Sequence, residues 1–236
     1  MTADIRVALA GLEIGERERG LLERFLIRFL ERNAVTNLSS ARDPVAVAAH
    51  FADSLAIVDL IREPYIDVGS GGGFPGIPLA IATGFATTLL EATAKKARFL
   101  SEIVEELGLR ANVVTARAED AARDPELRGV FASATARAVS SAPAVLELTI
   151  PFLRVGGVAV LQRGKLDERE RTAANDAALV LGAEITLERA GSPFAAEPDE
   201  RRILLVRKVA ETGQRFPRRA GIPAKRPLCY SESTNG

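Results

Sequence analysis

Residues 65–79 read Tyr65-Ile66-Asp67-Val68-Gly69-Ser70-Gly71-Gly72-Gly73-Phe74-Pro75-Gly76-Ile77-Pro78-Leu79. A short apolar run ends at an acid, a glycine-rich turn follows, and Pro75 stands where a helix can begin. This is a strand–loop–helix unit whose loop lets a ligand lie against backbone. Glycines at 69, 71 and 73 give the pattern G-x-G-x-G. The dinucleotide fingerprint wants its third glycine where Phe74 stands, which counts against a nicotinamide-dependent oxidoreductase. No Lys-Ser or Lys-Thr pair follows the loop, which counts against a phosphate-cradling P-loop. Taken alone, the glycines also fit a turn that holds no ligand.

The periodicity on either side extends this unit into an α/β domain. Candidate strands lie at 65–68, 86–90, 111–115, 130–135, 155–161, 183–188 and 202–207, with candidate helices between them at 75–83, 94–108, 118–123, 140–152 and 167–181. Alternation of this kind implies parallel strands joined by crossover helices. No helix separates the last two strands, which are expected to pair as a hairpin across residues 191–200. Upstream, Leu21, Leu22, Phe25, Leu26, Phe29 and Leu30 mark one helical face over 16–32. Residues 33–43 are polar and turn-like, and Pro44 opens a second helix running to about Leu60. After residue 209 the chain turns basic and proline-rich, which predicts an extended tail. The expected organisation is an N-terminal helical extension over 1–62, an α/β domain over 63–209 and a basic tail over 210–236.

With 236 residues, 47% of them hydrophobic, the chain can bury a sizeable core. Its single cysteine, Cys229, excludes an internal disulfide framework and fits a reducing compartment. No apolar run approaches the ~20 residues needed to cross a bilayer, and the N-terminus lacks a signal-peptide pattern. A cytoplasmic location without membrane contact is expected. Net charge is zero, so any contact with nucleic acid must come from local patches. The best patch is the tail, where Arg215, Arg218, Arg219, Lys225 and Arg226 stand without an acid; composition alone also allows a solvated appendage. Arg42, Arg163 and Lys165 are expected to extend this patch around the rim of a pocket.

An acid at a strand end followed by G-x-G-x-G resembles motif I of the class I S-adenosylmethionine (AdoMet) methyltransferases. Seven strands with a closing hairpin suit the sheet of that fold. In such sheets the ligand sits outside the carboxyl ends of the strands. Asp67 is expected to position the loop or meet the amino-acid part of the ligand. Glu91 follows Gly69 by 22 positions, close to the ~20-residue offset at which an acid reaches a ribose hydroxyl. A carboxylate accepts two hydrogen bonds from a diol; Glu91 also suits a helix N-terminus. After the third strand, a backbone amide at Ala118 and the acid Glu119 are placed to bracket an adenine ring, or to cap a helix. Arg137 follows the fourth strand and points into the crevice or into a surface ion pair. His50, the sole histidine, reads as a structural or RNA-contacting group, with Asp53 one helical turn on to fix its ring.

Several separated segments point to one family. Asn37-Leu38-Ser39-Ser40-Ala41-Arg42-Asp43-Pro44, His50-Phe51-Ala52-Asp53-Ser54-Leu55, the glycine loop, Lys96-Ala97-Arg98-Phe99-Leu100, Arg117-Ala118-Glu119, residues 133–138 and Phe216-Pro217-Arg218-Arg219-Ala220-Gly221-Ile222-Pro223 occur in order. Together they resemble the ribosomal RNA small-subunit methyltransferase G family, also called glucose-inhibited division protein B, over residues 33 to about 228. The resemblance implies a Rossmann-like class I fold and AdoMet as cofactor. It implies transfer of methyl to N7 of a guanine in 16S rRNA, as naked RNA or within the small ribosomal subunit; a monomer without a metal is expected. By the same resemblance Gly69 and Phe74 line the cofactor site, Ala118 and Glu119 flank adenine, and Arg137 lies beside the methyl-transfer region. Asp67, Gly71 and Glu91 complete the expected cofactor set; Asn37, Arg42, His50, Arg163, Lys165, Arg218 and Arg219 are the expected RNA contacts. Ala49, Val35-Thr36 and Gln162-Arg163 depart from the family pattern, all on the RNA-contact side. A methyltransferase for small molecules or proteins and a non-catalytic RNA-binding protein remain the competing readings.

Overall fold

The computed structural model describes Leu9, Leu12 and residues 14–137, 140–190 and 201–229. Two helices, α1 (Glu16–Val35) and α2 (Pro44–Leu55), precede the sheet. The sheet region runs β1 (Tyr65–Val68), α3 (Gly76–Thr83), β2 (Thr87–Leu90), α4 (Ala94–Leu107), β3 (Ala111–Val114), α5 (Ala118–Ala121), β4 (Phe131–Arg137), α6 (Ala142–Thr149), β5 (Leu153–Gly164), α7 (Glu168–Val180), β6 (Ala183–Ala190) and β7 (Arg201–Lys208). The seven strands form one sheet in the order β3-β2-β1-β4-β5-β7-β6. The pairs from β3 through β5 are parallel, while β7 runs antiparallel to both β5 and β6. Strand order reverses between β1 and β4, where a doubly wound sheet opens its ligand crevice.

Side chains alternate across β1. Ile66 and Val68 join the core under α6 and α7 with Leu146, Phe152, Ala174 and Ala178. Asp67 points the other way, toward α3, and accepts the Gly76 N–H. A second core sits on that opposite face and joins α1 and α2 to α3 and α4 through Phe25, Phe29, Phe51, Phe74, Ile77 and Phe99. The N-terminal helices are therefore part of the wall behind the glycine loop. Asp43 caps α2 by accepting the Ala46 N–H at 3.0 Å, with Pro44 in the first turn.

Four expectations change. The second helix ends at Leu55, and a separate 3₁₀ turn covers Val58–Leu60. The helix expected over 140–152 starts at Ala142 and tightens to 3₁₀ at Ile150–Phe152, where Pro151 has no N–H for the α-helical ladder. Strands β4 and β5 run further than expected because Ala136 and Arg137 pair with Leu161 and Gln162. Finally, residues 210–229 are not an extended tail: they fold back on the domain, bury Phe216 in the core under α6 and α7, and form a short helix, α8 (Ile222–Lys225). The hairpin loop over 191–200 lies outside the described residues. No helix among the described residues is long and apolar enough to cross a membrane.

Candidate active site

The glycine loop is shaped from below by Asp67. Its Oδ2 accepts the Gly76 N–H at 3.1 Å, and its Oδ1 accepts the Thr135 hydroxyl at 2.7 Å. The Tyr65 hydroxyl lies 2.5 Å from the same Thr135 oxygen. A Cβ at residue 76 would stand 2.7 Å from Asp67 Oδ2, so only glycine lets the loop close this tightly. Gly69 and Gly71 have φ of 76° and 56°, a region other L-residues rarely adopt. Burial pushes the Asp67 carboxyl up to about 6, against the opposing pull of Thr135, Ser70 and Gly76. Asp67 thus positions the loop from beneath and is absent from the cavity wall.

Glu91, directly after β2, holds the loop from the side. Its Oε2 accepts the Gly71 N–H at 2.9 Å and its Oε1 accepts the Thr93 N–H at 2.7 Å. Two backbone donors fix this carboxylate at the floor of a cavity of about 490 Å³.

The facing wall comes from the N-terminal helices. Asn33 is buried at the end of α1; its Oδ1 accepts the Leu38 and Ser39 N–H groups at 2.8 and 3.0 Å, and its Nδ2 donates to Ala41 O. This clamp turns Ser39 and Ser40 toward the glycine loop. Ser39 Oγ lies 3.4 Å from His50 Nε2. The cavity is bounded by Ser39, Ser40 and His50 on one side, the glycine loop and Glu91 on the other, with Phe74, Lys96 and Arg137 between. Phe74 is largely buried against Phe25, Phe29 and Phe51. One side of its ring meets His50 at 5.2 Å, and the Arg137 guanidinium lies 5.3 Å from its centroid. Arg137 also donates to Asp53 Oδ2 at 3.3 Å. Asp53, expected to orient His50, is thereby engaged by Arg137.

The remaining predicted residues divide. Ala118 and Glu119 open α5 beyond β3 and stand outside this cavity's wall. The Glu91 N–H donates to Val114 O at 3.0 Å, which sets the β3–α5 turn alongside Glu91. Asn37, Arg42, Lys165 and Arg219 are exposed, and Arg42 is braced by Asn33 O and Asn37 Oδ1. Two expected RNA contacts are corrected. Arg163 turns inward, donating to Ser140 O at 2.8 Å and to Glu170 at 2.6 Å, because its strand continues under α6 and α7. Arg218 is locked to the fully buried Glu147, which accepts from its backbone N–H and from its guanidinium, while Nη2 also donates to Arg226 O. Sequence reasoning gave no role to Asn33, Ser39, Ser40 or Lys96. The signal for Asn33 was an amide on an otherwise apolar helix face; Lys96 and the serines lay inside quoted motifs with nothing to say which way they face.

The loop and its crevice offer closely approachable backbone, a carboxylate floor and an aromatic wall, which suits a nucleoside-bearing ligand. The O-methyltransferase from Bacillus cereus, solved in complex with SAH, superposes with a TM-score of 0.58 at 21% identity, covering 87% of this chain and 97% of that one. The branched-chain polyamine synthase from Thermus thermophilus gives 0.59 at 16% identity, over 83% of this chain and 65% of its own. These likenesses show the Rossmann-like class I methyltransferase fold. In sequence, the protein from Rubrobacter xylanophilus named ribosomal RNA small subunit methyltransferase G is 41% identical over 229 residues, 92% of this chain and 87% of that protein. The protein of the same name from Desulfitobacterium hafniense is 39% identical over 88% of this chain and 89% of its own length. The sequence model of the rRNA small subunit methyltransferase G family matches residues 19–191. The chain belongs to the rRNA small subunit methyltransferase G family.

Proposed function

We propose that the protein is an AdoMet-dependent methyltransferase that modifies N7 of a guanine in the 16S rRNA of the small ribosomal subunit, in the cytoplasm. The observation that carries this reading is the cavity in which a glycine loop and Glu91 face Ser39, Ser40 and His50 across Phe74 and Arg137. The donor set fits AdoMet: Gly69 and Gly71 give close backbone approach to its amino-acid part, Glu91 suits the ribose diol, and Ala118 with Glu119, on the adjoining turn outside the cavity wall, suit the adenine. Bound there, AdoMet supplies a methyl group on a sulfonium sulfur.

Guanine N7 carries an in-plane lone pair and no proton, so no side chain has to act as a base to prepare it. The residues have to align N7 with the methyl carbon and keep water out. Phe74 and the aromatic cluster behind it supply a dry, rigid wall. Asp53 neutralises Arg137, so the guanidinium orients through hydrogen bonds and the Phe74 face without adding net positive charge beside a sulfonium. In this reading His50, Ser39 and Ser40 meet the incoming base, and Asn37, Arg42, Lys165 and Arg219 meet phosphates.

The test is to incubate the purified protein with labelled AdoMet and either 16S rRNA or small subunits, and to map the modified nucleotide. Methyl incorporated at a single guanine N7 is expected. Methyl found only on small molecules or protein, or AdoMet binding without any transfer, overturns the reading.

A further inference from the structure

We propose that the C-terminal segment over 212–226 is a strap that completes the cofactor site, by clasping Glu119 and so setting the turn that borders Glu91. The strap is anchored on three sides. Thr212 Oγ1 donates to Leu181 O at 2.8 Å. Arg128 donates to Thr212 O and Phe216 O at 2.8 and 2.9 Å, and Arg123 donates to Pro217 O at 2.6 Å. Arg218 then spans to the buried Glu147 of α6, with guanidinium contacts of 2.7 to 3.0 Å. These contacts deliver Gly221, whose N–H donates to Glu119 Oε1 at 2.8 Å.

Glu119 is largely buried and sits in the turn that hydrogen bonding ties to Glu91 through Val114. A carboxylate accepts at both oxygens. With Oε1 taken by the strap, Oε2 has no hydrogen-bond partner among the described residues and is left to receive an amine donor such as that of adenine. Gly221, Arg218 and Glu147 are thus positioning residues that act through Glu119. The inference rests on the reading that AdoMet is the cofactor. Reciprocity of binding then requires that AdoMet tighten the strap as much as the strap tightens AdoMet.

Gly221 has φ of 79° with open space around a would-be Cβ, so Gly221→Ala strains the backbone without a clash, while Gly221→Asn is better tolerated there. Amide hydrogen exchange of residues 212–226 is followed in the wild-type protein with and without AdoMet, alongside calorimetric AdoMet affinities for both variants. AdoMet is expected to slow exchange across the strap, and Gly221→Ala to weaken AdoMet roughly five- to tenfold, within the usual range of coupling, with Gly221→Asn near wild type. Wild-type protein that binds AdoMet with no change in strap exchange, together with a folded Gly221→Ala of unaltered affinity, overturns the strap's role alone. Wild-type protein that fails to bind AdoMet overturns the cofactor reading and this inference with it.

Discussion

At the residue scale, the loop's backbone is the most exacting part of the site. Gly69 holds φ of 76°, so Gly69→Val brings a branched side chain both to a strained backbone and to the cavity wall. AdoMet affinity by calorimetry is expected to be lost while the circular dichroism spectrum stays native; a folded variant with wild-type affinity removes the loop from the site. Asp67 makes a different prediction. Its carboxyl titrates near 6 in the folded protein against an ordinary 3.8. Between those values the folded state holds more protons than the unfolded one, so this group's contribution falls as pH rises and is fully lost above about 6. The shift corresponds to about 3 kcal/mol, at 1.36 kcal/mol per pKa unit. Asp67→Asn removes that titration. In urea melts at pH 4.5 and 7, wild type should lose stability relative to Asp67→Asn on going up in pH; a pH-independent difference between the two would contradict the raised pKa.

At the element scale, the ion pair between α6 and the C-terminal strap decides how that segment lies. Glu147 is fully buried and Arg218 is 27% exposed, measured at the side chain. Removing one partner of such a pair leaves a buried charge alone, at a cost of about 3–5 kcal/mol, whereas replacing both with apolar groups is often near neutral. Glu147→Met and Arg218→Met are each expected to lower the urea midpoint strongly, and the double variant to recover much of the drop; additive decreases would place the pair's effect elsewhere. This segment also marks the limit of what the sequence discloses. β1, the glycine loop and the alternation of strands and helices were legible because strand and helix periods and turn residues are local signals. Arg218 was not, because a run of Pro, Gly and Arg reads as solvated until the carboxylate that receives it is known, and Glu147 lies 71 positions away. The same reason hid Arg163: its partner Glu170 is near in sequence, but only the extension of β5 beneath the helices turns the guanidinium inward. Asp67 and Glu91 were legible as acids at the ends of strands. What each one holds, Gly76 and Gly71 respectively, required the folded loop.

At the scale of the whole molecule, the proposed function asks a chain of zero net charge to grip RNA with whichever cations face outward. Arg163 and Arg218 are engaged by internal carboxylates, while Arg42, Arg219 and Lys225 are exposed. Neutralising Arg219 and Lys225 should flatten the log–log dependence of RNA affinity on salt by roughly 0.7–0.9 for each phosphate no longer neutralised. Arg163→Met should lower stability and leave that slope unchanged. Equal flattening by both would return Arg163 to the RNA face. The strap also has a bearing on how the protein is made. Domains form as the chain emerges from its N-terminal end. A nascent chain exposed only through residue 209 already carries all seven strands, yet Glu147 has no counter-charge from Arg218 and the apolar surface that Phe216 covers is open to solvent. The cation that neutralises Glu147 therefore emerges only after every strand of the described sheet, and a chain cut short ahead of the strap should carry those strands with a lone buried carboxylate and an uncovered apolar patch.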